Sequence, residues 1–487
     1  MIQSCSNGNG FRVPPGRTDT ASRPKKVLFV TPPYRCGIAE IAGRWVPLNL
    51  VYLAGAARQA GLAAEIYDAM TKNHGYPQIE ERLRASAPDY VAVTAITSTI
   101  DDAIKTLELA KRTRPETVTI LGGIHPTFMY EEVLRSSDAI DYIVCGEGET
   151  TVAELLQVLE EGGDPAAVPG LAFRQGARVL KTLQRPLLER IDDLPAAWDL
   201  LDWNDYTYLF IPDSRLGTIS TSRGCSLDCT FCSQQKFWQR SWRARNPQKV
   251  ADELEYLHRS FGVNVFLLAD EHPTRDRGRW EALLDAVTAK GLPIYLLMET
   301  KAADIIRDRD ILGKYRQAGI IWISLGIEAN RPAADEAKQA LDLIREQQIV
   351  SEASFMLGLP EETSASVKET LHLAQYCNPD FANFLAVAPW PYSDMYAGVR
   401  QYIRETDYSR FNMVDPVIEP KQMTTFQVEV ALADCYRKFY MGKMAEVMTM
   451  KNDFKRAFIL RATKLFMGSS FIMKKLCVGM FGKIKRG

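Results

Sequence analysis

The chain has 487 residues, of which 46% are hydrophobic, and its formal net charge at pH 7 is −1. This length predicts about three domains with large buried cores, and the near-zero charge excludes the overall basic field of a nucleic-acid-binding protein. Nine cysteines scattered along the chain do not form a disulfide framework. The sequence shows neither a signal peptide nor an apolar run of about 18 residues, which predicts a cytoplasmic, reducing location.

Residues 1–24 are rich in Ser, Asn, Gly, Pro and Arg without periodicity, which predicts a disordered leader. Short apolar runs then alternate with amphipathic segments, and the runs begin at Lys25, Ala64, Tyr90, Val118 and Tyr142. Continuous apolar strands between helices indicate a parallel sheet that is covered on both faces. Residues 25–165 are therefore predicted to form a doubly wound, Rossmann-like domain.

Ligands of such sheets bind at the carboxyl ends of the strands. The loops there carry Thr97 and Ser98, the run Gly122-Gly123-Ile-His125-Pro-Thr, and the run Gly146-Glu147-Gly-Glu149. Glycines allow the backbone to approach a large ligand closely. No Gly-x-Gly-x-x-Gly follows the first strand, which argues against a dinucleotide. His125 alone carries little weight, because a lone histidine beside a proline is more often a satisfied loop residue than a ligand.

The segment Arg223-Gly-Cys225-Ser-Leu-Asp-Cys229-Thr-Phe-Cys232 places three thiols in one short loop. A structural zinc site takes four protein ligands, and the sequence near this loop offers no fourth Cys or His. An iron–sulfur cube takes four thiolates, so three protein ligands leave one iron open to a small molecule. The loop therefore predicts a 4Fe–4S cluster on Cys225, Cys229 and Cys232. The alternative is three unrelated cysteines.

Residues 166–214 contain prolines and aromatic residues without a clear period and are predicted to be a connector. The next strand begins at Gly217 and leads into the cysteine loop, and five strand–helix units follow, with strands at Asn264, Ile294, Ile320, Glu352 and Ala382. Parallel units with right-handed crossovers close into a barrel, which predicts a partial (β/α)6 TIM-like barrel over residues 215–395. Polar residues or glycine stand at its strand ends, namely Asp270, Glu271, Ser324, Glu328 and Gly358. For each polar side chain, the alternative is a helix cap.

Residues 396–487 are predicted to be mostly helical. From residue 451 to the end, ten Lys or Arg residues stand against one acid, Asp453, and apolar residues lie between them. A basic amphipathic helix is typical of a peripheral contact with a membrane surface or of a partner-binding element. A helix that packs one face on the barrel is the alternative.

The spacing Cys-x3-Cys-x2-Cys, with Phe231 before the last thiol, resembles the radical S-adenosylmethionine (AdoMet) superfamily. The resemblance implies that AdoMet binds the open iron and is contacted by Phe231, Asp270, Glu271, Ser324, Glu328 and Gly358. It also implies a 5'-deoxyadenosyl radical, made with one electron from a reduced ferredoxin or flavodoxin.

The upstream sheet, with Gly-Gly-x-His-Pro-Thr and Gly-Glu-Gly-Glu, is similar to the cobalamin-binding domain of one class of these enzymes. Cobalamin contacts are implied for Thr97, Ser98, Gly122, Gly123, His125 and Glu147. The Asp-x-His-x-x-Gly signature that supplies a lower histidine ligand is absent, which implies cobalamin without that ligand. A sheet domain that only binds or shapes substrate is the alternative.

End to end, the chain resembles the anaerobic magnesium-protoporphyrin IX monomethyl ester oxidative cyclases. The resemblance rests on segments 39–43, 121–130, 229–238, 267–271, 389–391 and 437–441. It implies a tetrapyrrole substrate and oxygen-independent closure of the fifth ring of bacteriochlorophyll, and the aromatic residues Phe237, Trp238, Trp242 and Trp390 suit such a flat molecule. A short turn after Glu328 and a poorly matching leader and tail keep two alternatives open. They are a cobalamin-dependent radical methyltransferase and a cluster- or cobalamin-binding sensor without catalysis.

Overall fold

The computed structural model describes residues 24–34, 42–327 and 331–468. The predicted leader up to residue 23, most of segment 39–43, Glu328 and the last part of the basic tail lie outside the described residues. In the described part, an α/β domain with a mostly parallel sheet is followed by a six-stranded parallel sheet and a helical C-terminal region. The predicted fold class is confirmed.

The first sheet has the strand order β2-β1-β3-β4-β5-β6-β7, in which the first five strands are parallel and the last two antiparallel. The strands are β1 Lys26–Thr31, β2 Ala63–Asp68, β3 Tyr90–Thr94, β4 Val118–Gly122, β5 Tyr142–Val144, β6 Leu171–Gln175 and β7 Arg178–Lys181. Between them lie α1 Leu48–Gln59, α2 Tyr76–Ser86, α3 Ile100–Thr113, α4 Ile124–Ser136 and α5 Glu149–Glu160. The chain reverses direction across the sheet between β1 and β3, which is the point where doubly wound sheets bind ligands.

Both faces of this sheet are buried, as the sequence predicts. In β1, Leu28 and Val30 pack into one hydrophobic cluster, while Val27 and Phe29 pack into another on the opposite face. Successive side chains of a strand point to opposite faces, so continuous apolar strands require helices on both sides. The sheet does not stop at residue 165, because the hairpin of β6 and β7 extends it into the predicted connector. The edge strand β7 has no buried residue, so the hairpin lacks the continuous apolar runs that mark the other strands in the sequence.

The second sheet has the order β15-β14-β13-β12-β11-β8 and is parallel throughout, so β8 and β15 are the edges of a partial barrel. Its strands are β8 Leu216–Ile219, β11 Val265–Leu268, β12 Tyr295–Thr300, β13 Ile320–Gly326, β14 Val350–Leu357 and β15 Phe381–Ala386. The ribbon of β9 Ser222–Arg223 and β10 Arg243–Ala244 brackets the cysteine loop. The helices of this part are α6 Gln234–Phe237, α7 Pro247–Phe261, α8 Arg277–Lys290, α9 Ala302–Arg307, α10 Leu312–Gln317, α11 Arg331–Glu346 and α12 Ser364–Cys377.

Helix α7 begins where the sequence indicates. The Asn246 side chain accepts hydrogen bonds from the backbone N–H groups of Gln248 and Lys249, and Pro247 occupies the first helical position. Asparagine caps satisfy N–H groups that lack a partner in the first turn, and proline loses nothing there. The helix ends at Gly262, whose φ of 69° is accessible to glycine without strain.

The C-terminal region comprises α13 Tyr396–Val399, α14 Thr425–Thr449 and α15 Asp453–Gly468. Helix α15 crosses the end of the barrel at which the strands begin. Lys455 Nζ lies 2.7 Å from Asp380 and donates to the backbone carbonyl of Ile349, while Phe458 packs on Phe381. The described part of the basic tail therefore packs on the barrel. None of the described helices is both long and apolar enough to cross a membrane.

Candidate active site between the sheet domain and the barrel

The cysteine loop leaves the C-terminal end of β8 and returns through α6. Gly224 has φ of 90°, and a Cβ there would stand 2.2 Å from the carbonyl oxygen of Ser241, so only glycine fits this turn. Cys225, Cys229 and Cys232 are partly exposed, and none of them forms a disulfide with another described cysteine. In the described residues, no group of three or more Cys, His, Asp or Glu side chains is arranged to hold a metal ion. The three thiols nevertheless lie in one loop, and their number and type suit an iron–sulfur cluster with one open iron.

The base of this loop is held by Asp270, which follows β11. Its buried carboxylate accepts hydrogen bonds from the backbone N–H groups of Thr221 and Ser222 and from both hydroxyls. The backbone at the end of β8 is therefore fixed by a carboxylate from the neighbouring strand. We propose that Asp270 positions the cysteine loop, because its oxygens are already engaged by protein groups.

Glu271 points toward the loop itself. It accepts from the backbone N–H of Gly224 at 2.9 Å and from the indole N–H of Trp238 at 2.6 Å. Burial raises the pKa of this carboxyl, although the two hydrogen bonds favour its charged form. Glu271 thereby ties the first and last parts of the loop together.

His272, the next residue, was not singled out by the sequence. Its Nε2 lies 2.6 Å from an oxygen of Asp304, which raises the pKa of the imidazole against the effect of burial. Burial raises the pKa of the Cys225 thiol, but hydrogen bonds from His272 and from the backbone of Leu227 outweigh it and shift the pKa downward. A lowered thiol pKa favours the thiolate that binds metal. Sequence motifs do not reveal the pairing of His272 with Asp304, because Asp304 follows a different strand.

The second half of the loop is docked on the segment that follows β15. Lys236 Nζ lies 2.6 Å from Asp394 and donates to the carbonyl of Tyr392, while Gln235 bridges Asp394 and the carbonyl of Cys229. The backbone N–H of Met395 donates to the carbonyl of Thr230. These contacts fix the part of the loop that carries the last two thiols.

A buried ion cluster joins the sheet domain to the root of the cysteine loop. Arg223 lies 2.9 Å from Glu147 and 2.6 Å from Glu149, and Arg243 lies 2.9 Å from Glu147. The Arg223 and Glu147 side chains are 9% and 3% exposed. Charges so deeply buried are stable only in close, well-bonded pairs. We call Glu147, Glu149, Arg223 and Arg243 the interdomain clamp. It holds the loop of residues 146–149 against the two arginines that flank the cysteine loop.

A cavity of about 240 Å³ lies directly beside the clamp. One wall is formed by the carboxyl ends of the first sheet, with Ala92, Ile120 and Val144 and the glycines Gly122, Gly123 and Gly146. The other wall is formed by Ser220, Arg223, Phe237, Trp238 and Glu271. At Gly146 an added Cβ would meet no atom within 4 Å, so the backbone itself faces open space. Apolar strand ends with glycine backbone suit part of a large ring system such as cobalamin.

The predicted ligand residues divide into those that line this cavity and those that do not. Gly122, Gly123, Glu147 and Glu271 line it. Within the described residues, the cavity wall does not include Thr97, Ser98, His125, Phe231, Asp270, Ser324, Gly358 or the three cysteines. Phe231 is 51% exposed. Gly358 has φ of 94°, and its N–H donates to Glu362. Glu328 lies outside the described residues.

His125 is buried beside the segment after β15. Its Nδ1 is 3.1 Å from the Thr97 hydroxyl, which in turn is 3.2 Å from the Tyr392 hydroxyl, and Nε2 has no hydrogen-bond partner among the described residues. Burial lowers the pKa of His125 to about 4, so the ring is neutral at pH 7. This position links the first sheet to the segment that also holds the cysteine loop.

Of the four aromatic residues, Phe237 and Trp238 line the cavity. Trp242 instead donates its indole N–H to the carbonyl of His272, and Trp390 packs on a small apolar cluster with Val387 and Val399. The four aromatic residues therefore do not line one common opening: two line the cavity and the other two pack elsewhere.

The sequence is similar to known families in both halves. A model of the B12 binding domain matches residues 34–156, and one of the radical SAM superfamily matches residues 219–374. The chain is 36% identical over 473 residues to the anaerobic magnesium-protoporphyrin IX monomethyl ester cyclase of Rubrivivax gelatinosus, with 94% of this chain and 85% of that protein covered. It is 37% identical over 459 residues to the protein of that name from Cereibacter sphaeroides, with 91% and 75% covered.

A solved structure shares the whole architecture. The radical S-adenosylmethionine methyltransferase TsrM from Kitasatospora setae, with cobalamin and a [4Fe-4S] cluster bound, superposes with a TM-score of 0.68 at 15% identity. The match covers 92% of this chain and 100% of that one. At this identity the likeness concerns the fold.

Proposed function

Because the chain belongs to the cobalamin-binding radical AdoMet family that includes the anaerobic magnesium-protoporphyrin IX monomethyl ester cyclases, we propose that it closes the fifth ring of that ester without molecular oxygen. Cobalamin, a 4Fe–4S cluster and AdoMet are its cofactors, as predicted. The observation that carries the proposal is the cavity in which the carboxyl ends of the first sheet meet the root of the cysteine loop.

When bound, these cofactors supply the radical and electron-transfer chemistry that removes hydrogen from an unactivated CH2 group, which no side-chain acid or base achieves. The residues of this chain bind and orient. Cys225, Cys229 and Cys232 are proposed to hold the cluster, and Glu147 with Arg223 sets the distance between the two cofactor-binding parts.

The cavity wall serves to position a flat substrate. Phe237 and Trp238 line it, and the Trp238 ring is fixed by its hydrogen bond to Glu271. We propose that the tetrapyrrole enters beside these rings, so that one propionate side chain reaches the lumen of the barrel.

The experiment is an anaerobic turnover assay of the full chain, reconstituted with iron, sulfide and cobalamin. It contains AdoMet, a one-electron reductant such as reduced ferredoxin or flavodoxin, the magnesium-protoporphyrin ester and ¹⁸O-labelled water. We expect a five-ring product that carries the label, together with 5'-deoxyadenosine, measured by mass spectrometry. Cys229→Ala is the matched negative control. A methylated porphyrin with S-adenosylhomocysteine would overturn the proposal in favour of a methyltransferase.

A further inference from the structure

The segment that follows β15 lies between the two domains and has a small apolar core of its own. In that core, Val387 and Val399 pack with Phe411 and Ile418. Closely packed side chains resist compression, so a segment with its own core transmits a displacement from one side to the other. We call residues 387–418 the bridging segment.

One side of the bridging segment contacts the residues that follow β3 and β4 of the first sheet. The Tyr392 hydroxyl lies 3.2 Å from the Thr97 hydroxyl, which lies 3.1 Å from His125 Nδ1. The Tyr392 ring stacks on Phe128 of helix α4, with 5.1 Å between the ring centroids. The Tyr408 ring meets the His125 ring edge-on at 5.0 Å. Tyr392, Thr97 and His125 are all buried, so these contacts form a packed interface.

The residues after β3 and β4 also contribute to the cavity wall. Thr94 lines the cavity just before Thr97 in the chain, and Gly123 lines it just before His125. The two chain segments are in close contact, because a Cβ at Gly123 would stand 2.3 Å from the carbonyl oxygen of Ala95. Ligands of doubly wound sheets bind at these strand ends. Cobalamin at this edge of the sheet would therefore contact the loops that hold the bridging segment.

The other side of the bridging segment holds the second half of the cysteine loop. The Tyr392 carbonyl accepts a hydrogen bond from Lys236 Nζ at 2.9 Å, and Asp394 lies 2.6 Å from the same ammonium. The backbone N–H of Met395 donates to the carbonyl of Thr230, which stands between the last two thiols. Tyr392 thus contacts the sheet domain through its side chain and the cysteine loop through its backbone.

The cysteine loop must change shape when the proposed cluster forms. Its thiols are partly exposed and, among the described residues, are not arranged as a group that holds a metal ion. Burial raises the pKa of Tyr392 to about 12, and the charge of the Cys232 thiolate adds to the rise. The Tyr392 hydroxyl is therefore within electrostatic reach of the last thiol. A rearrangement of the loop around Cys232 acts on the residue that contacts Thr97.

We propose that Tyr392 is a positioning residue that couples cobalamin binding at the first sheet to cluster assembly in the cysteine loop. A cluster fixes the loop, and the contact of Tyr392 with Thr97 passes this order to the sheet edge. Cobalamin then meets loops that are already ordered and binds more tightly. This inference rests on the cofactors of the proposed function and does not involve its substrate.

The test is the dissociation constant of hydroxocobalamin for the full chain, with and without reconstitution of the cluster. It is measured by anaerobic equilibrium dialysis with cobalt analysis. In the wild type, the cluster should lower Kd by about 5-fold or more. In Tyr392→Phe, which keeps the ring on Phe128, the ratio of the two constants should fall to about 1, with iron content unchanged. Tyr376→Phe, the matched control, removes an exposed hydroxyl that donates to Asp335 and should keep the wild-type ratio.

Thr97→Val tests the same contact from the sheet domain. It should also remove the gain, and the double variant with Tyr392→Phe should behave like either single variant, because both changes break one link. A wild-type ratio of about 1, or a wild-type ratio retained in Tyr392→Phe, overturns the coupling. An equal loss of affinity in Thr97→Val with and without the cluster marks a direct contact alone and overturns it as well. If the porphyrin ester is not converted in the turnover assay, the proposed function fails, and the dialysis still decides the coupling.

Discussion

The interdomain clamp makes a quantitative prediction about stability. In the part of the chain that the structure describes, Arg223 is the one ion-pair partner of Glu149, and their side chains are 9% and 10% exposed. Arg223→Met leaves the Glu149 charge buried without its partner, which costs about 3–5 kcal/mol of the free energy of unfolding. Glu149→Gln costs less, about 1–3 kcal/mol, because Arg223 retains Glu147. In the double variant the stranded charge is absent, so the costs should not add, and we expect a coupling energy of about 2 kcal/mol.

The assay is urea unfolding of the full chain with reductant, followed by tryptophan fluorescence and by far-ultraviolet circular dichroism. Coincident transitions of the two probes justify the use of a single free energy. The matched control is Arg135→Met at the exposed i,i+4 pair with Glu131, where a loss of only about 0–1 kcal/mol is expected. Additive costs at the clamp, with a coupling energy below about 0.5 kcal/mol, would refute our account of these residues.

Three further predictions concern the thiols, a buried histidine and the C-terminal helix. Cys229→Ala should lose the bound iron and its visible absorbance, whereas Cys435→Ala, at a buried thiol in α14, should retain both. The pKa of His125 in the folded chain is about 4, so as the pH falls the unfolded chain binds the proton first. The free energy of unfolding, measured by urea titration, should therefore fall by roughly 3 kcal/mol between about pH 6.5 and pH 4. The fall should be smaller in His125→Gln. Lys455→Met should lower the free energy of unfolding by about 3–5 kcal/mol, measured by urea unfolding, because it leaves the Asp380 charge buried without its partner. The double variant with Asp380→Asn should lose much less. Equal losses in the single and double variants would contradict a buried ion pair.

The features of this molecule that could be predicted from the sequence are those that depend on local sequence patterns. Three thiols within eight residues, glycines after strands, and alternating apolar runs each depend on neighbours in the chain. Such patterns predicted the two parallel sheets, the cysteine loop and its place after the first barrel strand. They failed at the hairpin of β6 and β7, because the edge strand β7 has no buried residue and therefore no continuous apolar run.

The roles of individual side chains could not be predicted in this way. Asp270 and Glu271 stand together in the sequence, yet the first holds the end of β8 and the second faces the cavity, since successive positions diverge at the strand end. For the basic tail, composition left membrane, partner and packing open. The structure favours packing for residues 453–468, because the barrel presents Asp380 to Lys455.

The sequence by itself determined the chemical inventory of this protein, namely three thiols for a cluster and a strand-and-loop order that suits cobalamin and AdoMet. Only the tertiary structure decided which charges meet. Arg223 and Glu147, which form an ion pair, are 76 residues apart in the sequence, and Lys455 of the C-terminal helix pairs with Asp380 at the start of a barrel strand. Contacts of this kind depend on how whole domains pack and on the register of parallel strands. Burial then sets their energies, because a charge removed from water must find a partner or give up its ionisation.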